Sequence, residues 1–205
     1  MKSTPKFITL EGVDGAGKST HINFIKKYFS DNKLNYFFTR EPGGTILGEK
    51  LRVILLHDEM TPETESLLMF AARNEHVQKI IKPSLEEGVN VVSDRFTDAT
   101  YAYQSGGKNV SISKITILKN WVHKDLKPDL TILFDLPIEV SLSRLKTNGN
   151  LDKFEREAIY FHKKIRNSYL SLAKKEPKRF KVINSDQDIT AIQKEIHFIL
   201  NNLFT

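Results

Sequence analysis

The chain has 205 residues, of which 40% are hydrophobic and 27% are charged, with a formal net charge of +6. This composition is ordinary for a soluble globular protein, and no apolar run approaches the roughly 18 residues that a membrane span needs. Because there is no cysteine, disulfide frameworks, thiolate metal sites and cysteine nucleophiles are excluded. The N-terminus also lacks the pattern of a secretory signal, so we expect a cytoplasmic protein.

Short apolar runs and helical patterns alternate along the sequence. The apolar runs predict five strands, at residues 7–10, 36–39, 89–93, 130–134 and 180–183. Apolar residues at helical spacing predict helices after residue 18, around 51–56, from 61 towards 88, through 112–122, over 137–147 and 152–175, and through 189–203. In the third of these helices, Thr61 is predicted as the N-cap with Pro62 in the first turn, and Pro83 should kink the helix or end it early.

The order of these elements indicates an α/β fold. No repeat, low-complexity segment or linker interrupts the sequence, so we interpret residues 1–205 as a single domain. Strands separated by helices predict three layers, in which a five-stranded, mostly parallel sheet is covered by helices on both faces. In such folds ligands bind at the carboxyl ends of the strands, and the motifs of this sequence follow predicted strands.

The strongest motif is a glycine-rich loop between the first strand and the first helix. Residues 12–19 read GVDGAGKS and match the pattern GxxxxGK[ST] of a phosphate-binding P-loop. In such a loop the backbone N–H groups face the phosphates, Lys18 brings a positive charge to the β- and γ-phosphates, and the Ser19 hydroxyl can ligate magnesium. The predicted ATP-binding residues are Gly12, Val13, Asp14, Gly15, Ala16, Gly17, Lys18, Ser19 and Thr20.

Three further segments place an arginine beside glycines or an aromatic ring. They read FTREPGGT at 38–45, LMFAAR at 68–73, and SDRF at 93–96 followed by TYAYQSGG at 100–107. Together they predict a second substrate that is anionic and aromatic, because arginines suit a phosphate and a flat apolar ring suits a base. The ordered set EGVDGAGKST, FTREPGGT, MFAAR and DRFTDATYAYQSGG resembles the bacterial type of the thymidylate kinase family, over nearly the whole chain.

The resemblance implies a P-loop nucleoside monophosphate kinase with a short lid and the strand order 2-3-1-4-5. It implies a homodimer that takes ATP and dTMP as substrates, uses Mg²⁺ as cofactor, and catalyses ATP + dTMP → ADP + dTDP. It also implies that Lys18, Arg95 and Asp14 are catalytic and that Ser19 and Asp94 serve the metal. The implied dTMP-binding residues are Asp14, Glu41, Arg52, Phe70, Arg73, Arg95, Thr100, Tyr103 and Gln104.

By resemblance, the residues around the acceptor phosphate have functional roles, and a structural alternative stays open for each. Arg52 and Arg95 would hold the phosphate, or form structural salt bridges. Asp14 would meet the 3′-hydroxyl of dTMP, or stabilise its own loop. Glu41 would orient Arg95 or the metal-bound waters, or serve the structure alone. Arg40 is open to a phosphate contact or a structural role.

By the same resemblance, two helical segments would bind the base and the sugar. Phe70 would stack on thymine, with core packing as the alternative, and Arg73 would donate to the thymine O4 edge. Thr100 and Gln104 are four residues apart, so a helical turn would put both on one face, towards the thymine edge. Tyr103 would pack under the sugar, where a ribose 2′-hydroxyl would crowd it, with ordinary core packing as the alternative.

The sequence departs from the family pattern at two places. Phe96 stands where a tyrosine or a histidine usually follows the Asp-Arg pair. The lid segment at about 144–156 has no arginine at its best-aligned positions, so the identity of the lid cation stays open. The candidates are Arg144, Lys146, Lys153 and Arg156. Outside these motifs, residues 184–187 would border the adenine or form a plain loop, and Trp121 is expected in the core or at an interface.

Two other functions remain compatible with a P-loop. A kinase of the same architecture would act on another acceptor, such as a deoxynucleoside, AMP, UMP or shikimate. A nucleotide-dependent binding module, or an ATPase stimulated by nucleic acid, would account for the basic charge. Such a module has no use for two arginines and a stacking ring in a second pocket, so we expect no nucleic-acid partner and no membrane partner.

Overall fold

One parallel sheet lies at the centre of the computed structural model, which describes residues 4–145 and 153–204, and only the backbone at 142–145 and 153–158. The strands are Phe7–Glu11 (β1), Tyr36–Arg40 (β2), Asn90–Asp94 (β3), Leu130–Asp135 (β4) and Phe180–Asn184 (β5). They lie in the order β2-β3-β1-β4-β5, and every neighbouring pair runs parallel. The predicted sheet and its strand order are therefore confirmed.

Helices connect the strands in the described part of the chain. The α-helices are Lys18–Asp31 (α1), Ile46–His57 (α2), Pro62–His76 (α3), Lys82–Glu86 (α4), Thr97–Thr100 (α5), Ile112–His123 (α6), Ile138–Leu145 (α7), Lys153–Lys175 (α8) and Ile189–Phe204 (α9). As predicted, Thr61 caps α3, because its Oγ1 accepts a hydrogen bond from the Thr64 N–H at 3.3 Å, and Pro62 lies in the first turn. None of these described helices combines the length and the hydropathy needed to cross a membrane.

Two π-helical turns, Val77–Ile81 and Tyr101–Gly107, were not predicted. The first directly follows α3, so the chain stays helical to the end of α4, and Pro83 lies in the first turn of α4. The predicted effect of Pro83 therefore takes another form, in which the hydrogen-bonding pattern changes before the proline instead of the helix ending there. The second π turn extends α5 and carries Tyr103 and Gln104, two residues of the predicted acceptor site.

Hydrophobic side chains pack on both faces of the sheet, because successive side chains of a strand point to opposite faces. In β1, Ile8 and Leu10 belong to a large buried cluster that includes residues of α1 and α9. Phe7, which precedes Ile8 and points to the opposite face, packs with Val91 and with the first π turn. The central strands β1, β3 and β4 are almost wholly buried, which explains why they lack a regular apolar–polar alternation. The carboxyl ends of the parallel strands share one edge, and this edge carries the predicted motifs.

Candidate active site

The glycine-rich loop between β1 and α1 has the backbone that its sequence predicts. Gly12 has a φ of 145°, and a Cβ atom there would lie 2.5 Å from the carbonyl oxygen of Phe134, so only glycine fits. Lys18 folds back over the loop, and its Nζ donates to the Gly12 carbonyl at 3.2 Å. Burial, followed by the nearby positive charge of Arg95, lowers the pKa of Lys18 to about 8. A bound anion would offset both effects.

A cavity of about 740 Å³ lies against this loop, within the range of small-molecule sites. The predicted phosphate-binding residues 14–20 form one side. Ser185 and Gln187, which follow β5, contribute to the lining together with Ile189 and Ile192 of α9. Residues 184–187 therefore do more than connect two elements, because two of them line the same cavity as Lys18. The remaining lining residues are His21, Arg40, Glu41, Arg52, Asp94 and Arg95.

A second cavity, of about 250 Å³, adjoins the first. Asp14, Glu41, Arg52 and Arg95 line both cavities, so a molecule in one would lie beside a molecule in the other. The other residues around the second cavity are Pro42, Leu55, Leu56, Glu65, Met69, Arg73, Phe96, Ala99, Thr100, Tyr103 and Gln104. The structure thus brings together every predicted acceptor-site residue except Phe70.

Arg95 borders both cavities and is held by four contacts with the protein. Its Nη1 donates to the Gly12 carbonyl at 3.0 Å and to the Tyr169 hydroxyl at 3.2 Å. Its Nη2 donates to the Asp14 carboxylate at 2.7 Å and to the Tyr103 hydroxyl at 3.1 Å, and that hydroxyl donates to Asp14 at 3.2 Å. The protein itself therefore fixes the guanidinium, and Asp14 stabilises this arrangement.

The two arginines of the neighbouring segments differ in their surroundings. Arg52 lines both cavities, and its Nη1 donates to the Pro42 carbonyl at 2.9 Å. Arg40 lines only the first cavity and forms an ion pair with Glu49 at 2.9 Å, in which both side chains are largely exposed. The ion pair is compatible with a structural role and the place in the cavity with a phosphate contact, so both interpretations of Arg40 stay predictions.

Glu41 lies in the wall of the second cavity, and its contacts correct one prediction. One carboxylate oxygen accepts from the Arg73 Nε at 2.7 Å, and the other lies 2.8 Å from the Nδ1 of His76. Although burial by itself raises the pKa of Glu41, the charges and hydrogen bonds of Arg73 and His76 hold it below its usual value. Glu41 therefore orients Arg73, and the prediction that it orients Arg95 is wrong for this structure.

Arg73 is almost fully buried, with 2% of its surface exposed. Besides its contact with Glu41, its Nη2 donates to the Phe96 carbonyl at 3.2 Å and to the Thr100 hydroxyl at 3.1 Å. Its Nη1 is buried and has no hydrogen-bond partner among the described residues. Because an unpartnered buried donor costs free energy, a ligand acceptor at this position would be favoured.

Phe70 is the one predicted contact residue that the structure places elsewhere. Its ring is 2% exposed and packs with Val110 and Ile115, with the Arg73 guanidinium 4.7 Å from its centroid. Met69 lines the second cavity instead. On an α-helix, Arg73 is rotated by about 40° from Met69 and by about 60° from Phe70, so both neighbours lie near the face of the arginine. The packing of Phe70 in the core is observed, its stacking on thymine stays a prediction, and helical spacing alone does not choose between Phe70 and Met69.

Ser19 and Asp94, the predicted metal residues, both line the first cavity. The Oδ1 atom of Asp94 is buried and has no hydrogen-bond partner in the described part of the chain. A buried carboxylate oxygen without a donor suits a hydrated cation, so the residues present fit Mg²⁺. Within the described ranges, no group of three or more His, Asp or Glu side chains could hold a metal by itself. A Mg²⁺ ion here would therefore also take phosphate oxygens, as is usual in nucleotide sites.

Two buried residues behind the loop were not predicted. Glu11 accepts a hydrogen bond from the Phe96 N–H and another from the Tyr169 hydroxyl, each at 2.7 Å. Burial, followed by the charge of Asp98, raises the pKa of Glu11 to about 8. Tyr169 also supports Arg95. Tyr169 is far from the motifs in sequence, and no local pattern distinguishes it from the other apolar positions of α8.

The candidates for the lid cation are not resolved by these contacts. Lys146 lies outside the described residues. Arg144, Lys153 and Arg156 lie where only the backbone of α7 and α8 is described. All four therefore remain predictions.

Comparison with known proteins identifies the family. The family model described as thymidylate kinase matches residues 10–196. The chain is 53% identical to the thymidylate kinase of Methylobacillus flagellatus, over 93% of this chain and 94% of that protein. It is 52% identical to that of a Janthinobacterium species, over 97% of each. The crystal structure of thymidylate kinase from Ehrlichia chaffeensis superposes with a TM-score of 0.78 at 35% identity, covering 96% of this chain and 98% of that one.

Proposed function

The chain belongs to the thymidylate kinase family, and from this membership we infer that it transfers the γ-phosphoryl group of ATP to dTMP, giving ADP and dTDP for dTTP synthesis. The observation that supports this function is the pair of adjoining cavities, one on the P-loop and one framed by arginines, with Asp14, Arg52 and Arg95 bordering both. A protein that only binds or hydrolyses ATP needs no second anion-binding cavity beside the first.

We propose that ATP occupies the larger cavity, with its phosphates on residues 12–20. Lys18 would lie at the β- and γ-phosphates, and Ser185 and Gln187 would lie beside the adenine. Ser19 would hold Mg²⁺ directly, and Asp94 would hold it through water. When bound, Mg²⁺ neutralises charge on the transferred phosphoryl group.

We propose that dTMP occupies the smaller cavity, with its phosphate towards the P-loop. Arg95 and Arg52 would hold that phosphate, since both border the two cavities. The Asp14 carboxylate would accept from the 3′-hydroxyl of the sugar, and Tyr103 would pack under the sugar. The four contacts of Arg95 use the N–H groups of both its Nη atoms, so it would hold the phosphate through its charge and its remaining Nε–H.

The thymine base would lie against the wall formed by α3 and the second π turn. Met69 would cover one face of the ring, in place of the predicted Phe70. The free Nη1 of Arg73 would donate to O4, and Thr100 would act through the hydrogen bond that holds Arg73. Gln104 would contact the base edge.

The protein contributes to the reaction by positioning the substrates and by stabilising charge. An oxygen of the dTMP phosphate attacks the γ-phosphorus of ATP, and a new P–O bond forms. The bond from the γ-phosphorus to the β–γ bridging oxygen breaks, and its electron pair leaves with ADP. The attacking oxygen is already anionic, so no general base is required. Lys18 and one lid cation from Arg144, Lys146, Lys153 or Arg156 would stabilise the charge on the transferred group.

We further propose that residues 1–205 act as one domain with a lid at 144–156, and that two copies form a homodimer. Helix α3 packs beside both α2 and α6, and the three helices expose large apolar side chains, which suits a protein interface. These side chains are Ile46, Leu47, Val53, Ile54, Leu56, Leu67, Ile112, Ile117 and Trp121. Trp121 is 83% exposed, which excludes the core position expected as one of its alternatives. Use of ATP and dTMP favours a cytoplasmic location.

A coupled assay across dTMP, dUMP, UMP, AMP and GMP, with and without Mg²⁺, tests this function. We expect the highest kcat/KM for dTMP and no turnover without Mg²⁺. Preference for another monophosphate would identify a different kinase of this architecture. ATP hydrolysis that needs no acceptor and is stimulated by DNA would instead identify a nucleic-acid-dependent ATPase.

A further inference from the structure

Glu65 and Gln104 form a shielded contact in the wall of the second cavity. The Nε2 of Gln104 donates to one carboxylate oxygen of Glu65 at 2.8 Å, and the Lys108 ammonium pairs with the other oxygen. Gln104 is 2% exposed, and the side chain of Glu65 is 12% exposed. The contact therefore joins α3 to the second π turn away from bulk water.

This contact decides which end of the Gln104 amide faces Glu65. A carboxylate paired with an ammonium group can only accept hydrogen bonds, so it selects the NH₂ end of the amide. The carbonyl Oε1, bonded to the same amide carbon, then points away from Glu65. On the side of the amide away from Glu65, Gln104 therefore offers its Oε1 acceptor, beside the one N–H of its NH₂ group that Glu65 does not accept.

Arg73 supplies the complementary group in the same wall. Its Nη1 is a buried donor without a partner among the described residues. One acceptor and one donor match thymine and uracil, which present an N3–H donor next to the O4 acceptor. Cytosine presents the reverse pattern, with an acceptor at N3 and an amino donor at C4.

We propose that Glu65 is a positioning residue that makes this cavity select thymine or uracil over cytosine, by holding the Gln104 amide in one orientation with Lys108 as its counter-ion. The inference rests on the proposed function, because it takes a pyrimidine monophosphate as the occupant. Glu65 does not need to touch the substrate. A side chain that can both donate and accept at this position would let the Gln104 amide turn, and its NH₂ end would then suit the N3 of cytosine.

Glu65→Gln tests the proposal, because it keeps the shape of the side chain and removes its acceptor-only character. Calorimetric titrations with dTMP, dUMP and dCMP give the three dissociation constants. We expect the affinities for dTMP and dUMP to fall together, and the ratio of the dCMP to the dTMP dissociation constant to fall on the order of 10- to 100-fold. Glu65→Asp, still an acceptor only, should keep most of that ratio.

Glu63→Gln is the matched control, because Glu63 lies on the same helix and forms an exposed ion pair with Lys114 at 3.1 Å. In Glu63→Gln the ratio of the dCMP to the dTMP dissociation constant should equal that of the wild type. If Glu65 had only a structural role, Glu65→Gln would weaken the binding of all three nucleotides by the same factor. An unchanged ratio of the dCMP to the dTMP dissociation constant in folded Glu65→Gln therefore overturns the proposal. If thermal unfolding shows that this variant does not fold, Glu65→Leu gives the same test, since it also frees the Gln104 amide.

The proposed function and the proposed role of Glu65 can be refuted separately. A wild-type protein that does not phosphorylate dTMP overturns the proposed function. A wild-type protein that phosphorylates dTMP, together with an unchanged ratio in the variant, overturns only the role of Glu65.

Discussion

Replacing Phe70 and Met69 one at a time separates a core residue from a cavity residue. The Phe70 ring is 2% exposed and packs with Val110 and Ile115. Phe70→Ala should therefore lower the free energy of unfolding by about 3–5 kcal/mol. Met69 is only partly buried and lines the second cavity, so Met69→Ala should lower it much less.

For dTMP binding we expect the opposite order of effects, with the larger loss of affinity in Met69→Ala. Met69→Ala removes three heavy atoms beyond Cβ, which at about 0.8 kcal/mol per buried methylene-sized group amounts to about 2 kcal/mol if the base covers them. The dissociation constant for dTMP should then rise roughly 10- to 30-fold. Urea unfolding of the ligand-free protein gives the first quantity, and calorimetric titration with dTMP gives the second.

Leu67→Ala is the control, because Leu67 lies on the same helix, is 55% exposed and lines neither cavity. It should leave the dTMP dissociation constant unchanged. The placement of the two residues is refuted if Phe70→Ala unfolds within about 1 kcal/mol of the wild type while Met69→Ala binds dTMP normally. Some loss of dTMP affinity in Phe70→Ala is expected through Arg73, whose guanidinium lies 4.7 Å from the ring centroid, so the unfolding measurement is the discriminating one.

Three other variants test the charged groups. Lys18→Ala should lower kcat at least about 100-fold in the coupled assay without a change in thermal unfolding, and near-normal kcat would exclude its role at the phosphates. Arg73→Ala should weaken dTMP binding and also lower the free energy of unfolding by about 3–5 kcal/mol, because the Glu41 carboxylate would stay buried without its main partner; unchanged urea unfolding would contradict this ion pair. The raised pKa of Glu11, about 8 in the folded state against 4.5, means that the folded protein holds a proton there that the unfolded chain releases. Stability should therefore fall by up to about 1.4 kcal/mol per pH unit as pH rises from 4.5 to 8, and Glu11→Gln should lose this component; parallel curves of unfolding free energy against pH would disprove it.

The features that the sequence predicts correctly depend on local chemistry. The P-loop is such a case, because the positions of Gly12 and Lys18 follow from what a phosphate-binding turn needs. The central strands β1, β3 and β4 lack a regular apolar–polar alternation because both of their faces are covered, and this pattern is visible without the structure. The Thr61 cap likewise needs only its own residue and the next helical turn.

The features that the sequence does not predict depend on helix rotation or on distant contacts. A motif that contains Phe70 and Arg73 does not state which neighbour lines the cavity, because Met69 and Phe70 both lie near the face of the arginine. The hydrogen bond between Arg95 and Tyr169 joins residues that are 74 positions apart. The contact of Glu65 with Gln104 depends on a π-helical turn, for which the sequence has no clear signal.

The placement of Lys18 and Arg95 links the fold to the proposed reaction. Burial, followed by the charge of Arg95, lowers the pKa of Lys18, so the two cations repel each other. Asp14, Tyr103 and the main chain nevertheless hold Arg95 in place. Folding therefore keeps Lys18 and Arg95 close together where the two cavities meet, with the Asp14 carboxylate beside them. Two phosphate groups that approach each other there would repel strongly in water, and fixed cations reduce that repulsion without having to reorganise during the transfer.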